Sequence, residues 1–261
     1  MEAGEQVKGK ALSNPLFSKW LQTIPNLYQN LAVYSERKGA RPIGLRELKK
    51  LVADHFVGDE TVMKAGGFLK AAAIIANSLP DNKQTRSGDL GELLATEYIS
   101  AETDFVVPVK KLRWKSDRQM PMHGNDVIGV AATDSSVRIL KCECKSRAKF
   151  GKTVVEEAAG SLDLHDGRPN PSTLAFLTKR LYEAGRDEEA DLFRALQTSG
   201  AIRPKNVVHL IFALSGNDPS QFLASGPKPK QKNIIRNNAA IMITDHQVFV
   251  AEVYDAYGER S

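Results

Sequence analysis

Residues 124–146 read GNDVIGVAATDSSVRILKCECKS, and the fold turns on how this stretch divides. Residues 126–133 (DVIGVAAT) and 138–146 (RILKCECKS) are short runs rich in apolar residues, joined by Asp134-Ser135-Ser136, the composition of a turn. They predict two neighbouring strands. Successive side chains of a strand point to opposite faces. Leu140, Cys142 and Cys144 therefore share one face, and Lys141, Glu143 and Lys145 the other. The first set suits a core. The second puts acid and base in the middle of a sheet, where unpaired charge is costly to bury.

The period changes on either side of these strands. Residues 88–100 read as a short helix, and residues 105–114 (FVVPVKKLRW) as a further strand. Helical spacing returns at 153–165, with Val154, Val155, Ala158, Ala159 and Leu162 on one face, and residues 171–199 predict a second helix. Residues 207–214 (VVHLIFAL) are apolar throughout, as in a strand covered on both faces. Residues 225–238 (SGPKPKQKNIIRNN) read as a basic loop, and 240–244 with 247–254 as a hairpin about Asp245-His246. The first 80 residues read as helical, over 17–34 with a break at Pro25, over 44–56, and over 59–78 before Pro80. The order predicts an α/β fold: a mixed central sheet flanked by helices over 81–261, preceded by a helical N-terminal region over 1–80 that reads as a docking surface for a larger partner, with covering the core as its alternative role.

Composition sets the outer bounds. With 261 residues, 42% hydrophobic and 26% charged, the chain is neither disordered nor fibrous. It contains no apolar run of the length that spans a bilayer and no signal-peptide layout at its start, so no membrane partner and a cytoplasmic location are expected. The net charge of +5 is modest, but its distribution is uneven. Residues 101–152 carry 11 basic and 6 acidic side chains and residues 201–238 carry 6 and one, while the intervening 153–200 carry 5 and 9. Two basic blocks brought together would make a positive surface. Cys142 and Cys144 are the only cysteines; spaced i, i+2, they make a poor disulfide and a poor zinc site, and read as small buried apolar groups.

If the two central strands pair through their short link, Asp126 and Glu143 lie near each other. Neighbouring carboxylates repel, and a divalent cation between them relieves the repulsion. Lys145, two residues after Glu143, could then polarise a water or offset charge on a phosphoryl group. No Walker A loop, zinc quartet or Gly-x-Ser-x-Gly motif occurs.

Asp126, then Glu143-Cys144-Lys145, resembles the Asp…Glu-x-Lys motif of the PD-(D/E)xK nuclease superfamily, with Asn125 where the motif name has proline. That resemblance implies a restriction-endonuclease-like core. It also implies a further acidic ligand on the preceding helix, here Glu92 in Gly88-Asp89-Leu90-Gly91-Glu92. Over about 60 residues, Lys111-Leu112-Arg113-Trp114 and Met120-Pro121-Met122-His123-Gly124-Asn125-Asp126 are similar to the HamA family, the small nuclease-like subunit of the Hachiman anti-phage defence system. The resemblance implies a metal-dependent deoxyribonuclease working with a superfamily 2 helicase, HamB. Under it, Asp126, Glu143, the Cys144 carbonyl and Glu92 would hold Mg²⁺ or Mn²⁺, with Lys145 catalytic beside them. Lys110, Lys111, Arg113, Lys115, Arg147, Lys149, Lys228, Lys230, Lys232 and Arg236 would hold DNA by its backbone. His123 and Trp114 read first as structural residues of a turn and a strand, with proton transfer and base stacking as the alternatives. Two rival functions remain open: a non-catalytic DNA-binding or regulatory subunit of a helicase complex, and a standalone repair nuclease.

Overall fold

The computed structural model describes residues 12, 14–65, 67–133, 136–198, 200–255 and 257. The chain begins with a short helix, α1 (Pro15–Ser18), two strands, β1 (Leu21–Thr23) and β2 (Leu31–Glu36), and three helices, α2 (Arg41–Phe56), α3 (Asp59–Lys64) and α4 (Phe68–Ser78). The long helix α5 (Lys83–Glu102) follows, then a 3₁₀ turn at Lys111–Trp114, and the strands β3 (Val127–Thr133) and β4 (Ser136–Arg147). Helices α6 (Lys152–Asp163), α7 (Pro171–Glu183) and α8 (Asp187–Leu196) lead to β5 (Val207–Ser215), α9 (Ser220–Ala224), β6 (Ile235–Met242) and α10 (His246–Asp255).

The six strands among the described residues form one sheet in the order β1-β2-β6-β5-β4-β3. β4, β5, β6 and β2 run parallel, and β3 and β1 close the two edges antiparallel. The mixed sheet flanked by helices is thus as expected. Helices α2, α5 and α10 cover one face, burying Leu140, Cys142, Phe212 and Ile241 against Leu93, Tyr98 and Phe249. On the other face α6 and α9 cover Val33, Ile211 and Ala213, and α7 with α8 covers Ile128, Ile139 and Val207.

Several expected elements are corrected. Residues 1–80 are not wholly helical, because 17–34 gives β1, a Pro25 loop and β2. Leu31 to Tyr34 are buried, alternating between the two faces, so the run is apolar without a period of two. The expected hairpin at the end is β6 followed by α10. Phe249, Val250, Val253 and Tyr254 are buried at helical spacing, and that period prevails over the strand preference of valine. Residues 105–114 do not form a strand: a single bridge joins Val106 to Val130, and Lys111–Trp114 is a 3₁₀ turn. The 171–199 helix is divided near Gly185 (φ +68°), and the 59–78 helix near Gly67 (φ +131°), both in the conformation that favours glycine. Residues 225–238 are loop only as far as Ile235, where β6 begins.

Candidate active site

The turn before β3 is tied down from three directions. The Asn125 side chain accepts from the Asn170 N–H at 2.7 Å, and its own N–H donates to Thr173 Oγ1 at 3.0 Å. The Lys111 ammonium donates to the Asn125 carbonyl. A proline at 125 could not donate to Thr173, so asparagine at that motif position is an anchor to α7. Gly124 has φ +96°, and a Cβ there would run into the Thr173 hydroxyl. Glycine and asparagine together thus aim Asp126 at β4.

Val127 pairs with Cys142, so β4 runs on past the start of its neighbour. Asp126 Oδ2 takes up the freed edge, accepting from the Cys144 N–H at 2.7 Å. A residue in an antiparallel ladder offers N–H and C=O to the same side, so the Cys144 carbonyl faces this edge too. The side-chain parity is as expected: Leu140 and Cys142 are buried in the core, while Glu143 and Lys145 share the other face and pair at 3.0 Å. Ser161 of α6 opposes the rise in the Glu143 pKa. The two cysteines are free thiols.

Burial and mutual repulsion push these acids toward the neutral form. Glu143 is raised to about 7, first by burial and then by the Asp126 charge. Glu92, on α5, is raised to about 8 by burial, with Asp126 and Asp89 adding and Lys111 opposing. Asp126 is raised by burial against the Cys144 hydrogen bond and the charges of Lys111 and Lys145. Glu92 and Glu143 therefore each feel the charge of Asp126, which is the acid common to both. Among the described residues, no three His, Cys, Asp or Glu side chains stand close enough to cage a metal ion as they are. The donor chemistry nevertheless fits: these are hard carboxylate oxygens short of counter-charge, which suit Mg²⁺ or Mn²⁺.

The expected DNA-binding residues divide into two groups. Those at 110–115 are turned inward. Lys111 is buried under the Asp126 turn, and Lys115 pairs with buried Asp89 at 2.8 Å. Lys110 bridges Asp54 and Glu97, and Arg113 bonds Asp54. The apolar setting leaves each cation needing a carboxylate or carbonyl, so Lys111 and Lys115 act as positive backing for the acid cluster. Arg236 is likewise buried against Asp163 at 2.9 Å. Arg147, Lys149, Lys228, Lys230 and Lys232 are exposed to solvent. His123 is exposed on its turn, and Trp114 is half-exposed with the Arg180 guanidinium 4.3 Å over its ring. The sequence reading missed Lys111 as an anchor, and Thr173 as a partner. Each acts across a separation of 14 residues or more, which spacing alone does not reveal.

Comparison with known proteins bears on what this arrangement belongs to. The HamA family model matches residues 24–256, nearly the whole chain. The chain belongs to the HamA family. A curated member, Hachiman protein HamA of Bacillus cereus, is 32% identical over 135 residues, a segment that covers 51% of this chain and 48% of the relative. The chain thus matches about half the length of that HamA relative. No helix among the described residues is long and apolar enough to cross a membrane.

Proposed function

We propose that this HamA-family chain is a metal-dependent DNA nuclease of the PD-(D/E)xK type, an effector of anti-phage defence that hydrolyses phosphodiester bonds under the control of a partner helicase. The observation that carries the reading is the charge-starved trio of Glu92, Asp126 and Glu143 around the β4 edge, with Lys145 held at 3.0 Å from Glu143. Asp126, Glu143 and the Cys144 carbonyl, with Glu92 behind them, would hold Mg²⁺ or Mn²⁺. The ion would supply Lewis-acid polarisation of the phosphate and an acidified water.

The chain's own residues do the rest. Lys145 presents an ammonium at the open edge of β4, where it offsets the charge that grows on the phosphoryl oxygens. Glu143 fixes that ammonium. Lys111 and Lys115, behind the cluster, favour the ionised carboxylates without reaching solvent. Arg147 and Lys149, just beyond on the same strand and its following loop, would steady the DNA backbone without reading sequence.

Cleavage of plasmid and single-stranded DNA by the purified chain, with Mg²⁺, Mn²⁺ or EDTA, tests the reading. Metal-dependent cutting that Glu143→Gln abolishes supports it; a wild-type chain inert on both substrates in both metals overturns it. The helicase partner is of the HamB, superfamily 2 kind. It is supported by family membership and by the Hachiman system named for the Bacillus cereus relative. Co-expression with such a helicase should give one complex on size exclusion, with cutting suppressed until the helicase engages DNA. Separate elution with unchanged cutting would leave a standalone nuclease.

A further inference from the structure

A cavity of about 790 Å³ lies between the first turns of α5 and α10 and the end of β4. Its volume falls among those of small-ligand sites. Among the described residues Lys83, Arg86 and Arg147 line it, against one carboxylate, Asp255, which pairs with Arg86 at 3.0 Å. The lining is therefore positive on balance. Val248, Val250 and Ala251 give it an apolar wall.

A chain of hydrogen bonds backs the cavity. Ser87 and Ser146 hydroxyls meet at 2.8 Å, and Ser146 Oγ meets His246 Nε2 at 2.9 Å. His246 lines the cavity, is 4% exposed, and among the described residues has no partner for Nδ1. It opens α10, whose first-turn N–H groups have no acceptor within the helix. Arginine and lysine side chains, hydroxyls and helix-start N–H groups each recognise a phosphate, and the apolar wall suits the sugar or base attached to it.

We propose that this cavity binds a nucleotide phosphate of the DNA strand being cut, and so anchors the strand beside Lys145. The inference rests on the nuclease reading. Ser146 follows Lys145 on β4 but faces the opposite side of the sheet, so the strand would pass over the β4 edge beyond the Asp126–Cys144 hydrogen bond, where β3 no longer pairs. The phosphate could equally belong to a free nucleotide, and the test separates the two sources.

The test uses the full chain carrying Glu143→Gln, in EDTA, so that binding is read without turnover. A fluorescent single-stranded oligonucleotide is titrated with and without Lys83→Gln and Arg147→Gln, two exposed side chains whose loss should leave the melting temperature unchanged. The pair should weaken binding about tenfold and reduce the salt slope by about 0.7 for each phosphate that is no longer neutralised. Deoxyadenosine monophosphate should displace the oligonucleotide from the parent and raise the parent's melting temperature more than that of the Lys83/Arg147 variant. Unchanged affinity and slope, with the wild-type chain cutting DNA normally in metal, overturns the cavity assignment and leaves the nuclease reading standing. Stabilisation by the mononucleotide through Lys83 and Arg147 without oligonucleotide displacement overturns the strand assignment in favour of a nucleotide effector. A wild-type chain that neither binds nor cuts DNA overturns both.

Discussion

Glu143 is held near neutrality by burial and by Asp126, and this has two consequences at the scale of the residue. Glu143→Gln keeps the volume and the hydrogen bonding while removing a ligand charge, so metal-dependent cutting should fall at least about a hundredfold. Lys145→Ala should be as slow but should still bind Mn²⁺, since an ammonium is no ligand; equal loss of metal affinity in both variants would refute its role. The second consequence concerns stability. A carboxyl raised from 4.5 to about 7 holds its proton in the folded state after the unfolded chain has released it. Between those values the folded form binds more protons, so this group's contribution to stability falls as pH rises from about 4.5 to 7. Glu143→Gln should therefore gain stability relative to wild type as pH rises through that window in urea denaturation. Mg²⁺ should narrow that difference, and a gap that does not grow with pH would show that Glu143 is not charge-starved. Lys141 is a different case. It is fully buried, and its ammonium donates to the carbonyls of Leu162, Leu164 and Arg168 at 2.8, 3.0 and 2.9 Å. Lys141→Met would orphan the end of α6, at a cost of about 3 kcal/mol, measurable in the same urea series.

Elements show which parts of the molecule the sequence makes legible. The parity of β4 could be read directly, because Lys141, Glu143 and Lys145 alternate with Leu140, Cys142 and Cys144 and only one assignment buries the apolar set. The α5 acid is legible as a position but not in its surroundings, since Glu92 feels the charge of Asp126 only once the helix packs on the sheet. The 110–115 stretch reads as a DNA track from its cations alone, and only the fold supplies Asp54, Asp89 and Asn125 as their partners. The 225–234 loop keeps its basic reading in Lys228, Lys230 and Lys232, whereas Arg236 belongs to β6 and pairs with Asp163. Replacing those three lysines by glutamine should weaken duplex binding at all sequences alike. It should also lower the slope of log K against log salt by up to about 0.9 for each phosphate they neutralise. The loop sits at the start of β5 and β6, away from the Arg147 end of β4, so an unchanged slope would confine the DNA to the catalytic end.

For the whole molecule, the decisive feature is that the chain's early strands and its last strand share one sheet. β2 lies beside β6, with Leu31 opposite Asn238 and Ser35 opposite Met242. The same union is made by side chains: Trp20 stacks on Phe249 at 5.5 Å, and Arg41 joins Glu36 to Glu252. A helical region serving only to dock a partner could be removed without harm, but a segment that supplies two strands and a share of the main core could not. Deleting residues 1–80 would leave the β6 edge unpaired and strip the apolar faces of α10 and α5 of Trp20, Leu48 and Val52. Edges and apolar surface of that kind promote association between chains. The fragment 81–261 is therefore expected to lose its cooperative thermal transition, to bind a hydrophobic dye and to aggregate, while the full chain melts sharply. A fragment that melts cooperatively and still cuts DNA would free the first 80 residues from the fold. It would also return them to the role of a docking surface, with loss of helicase binding in the fragment as the next observation to seek.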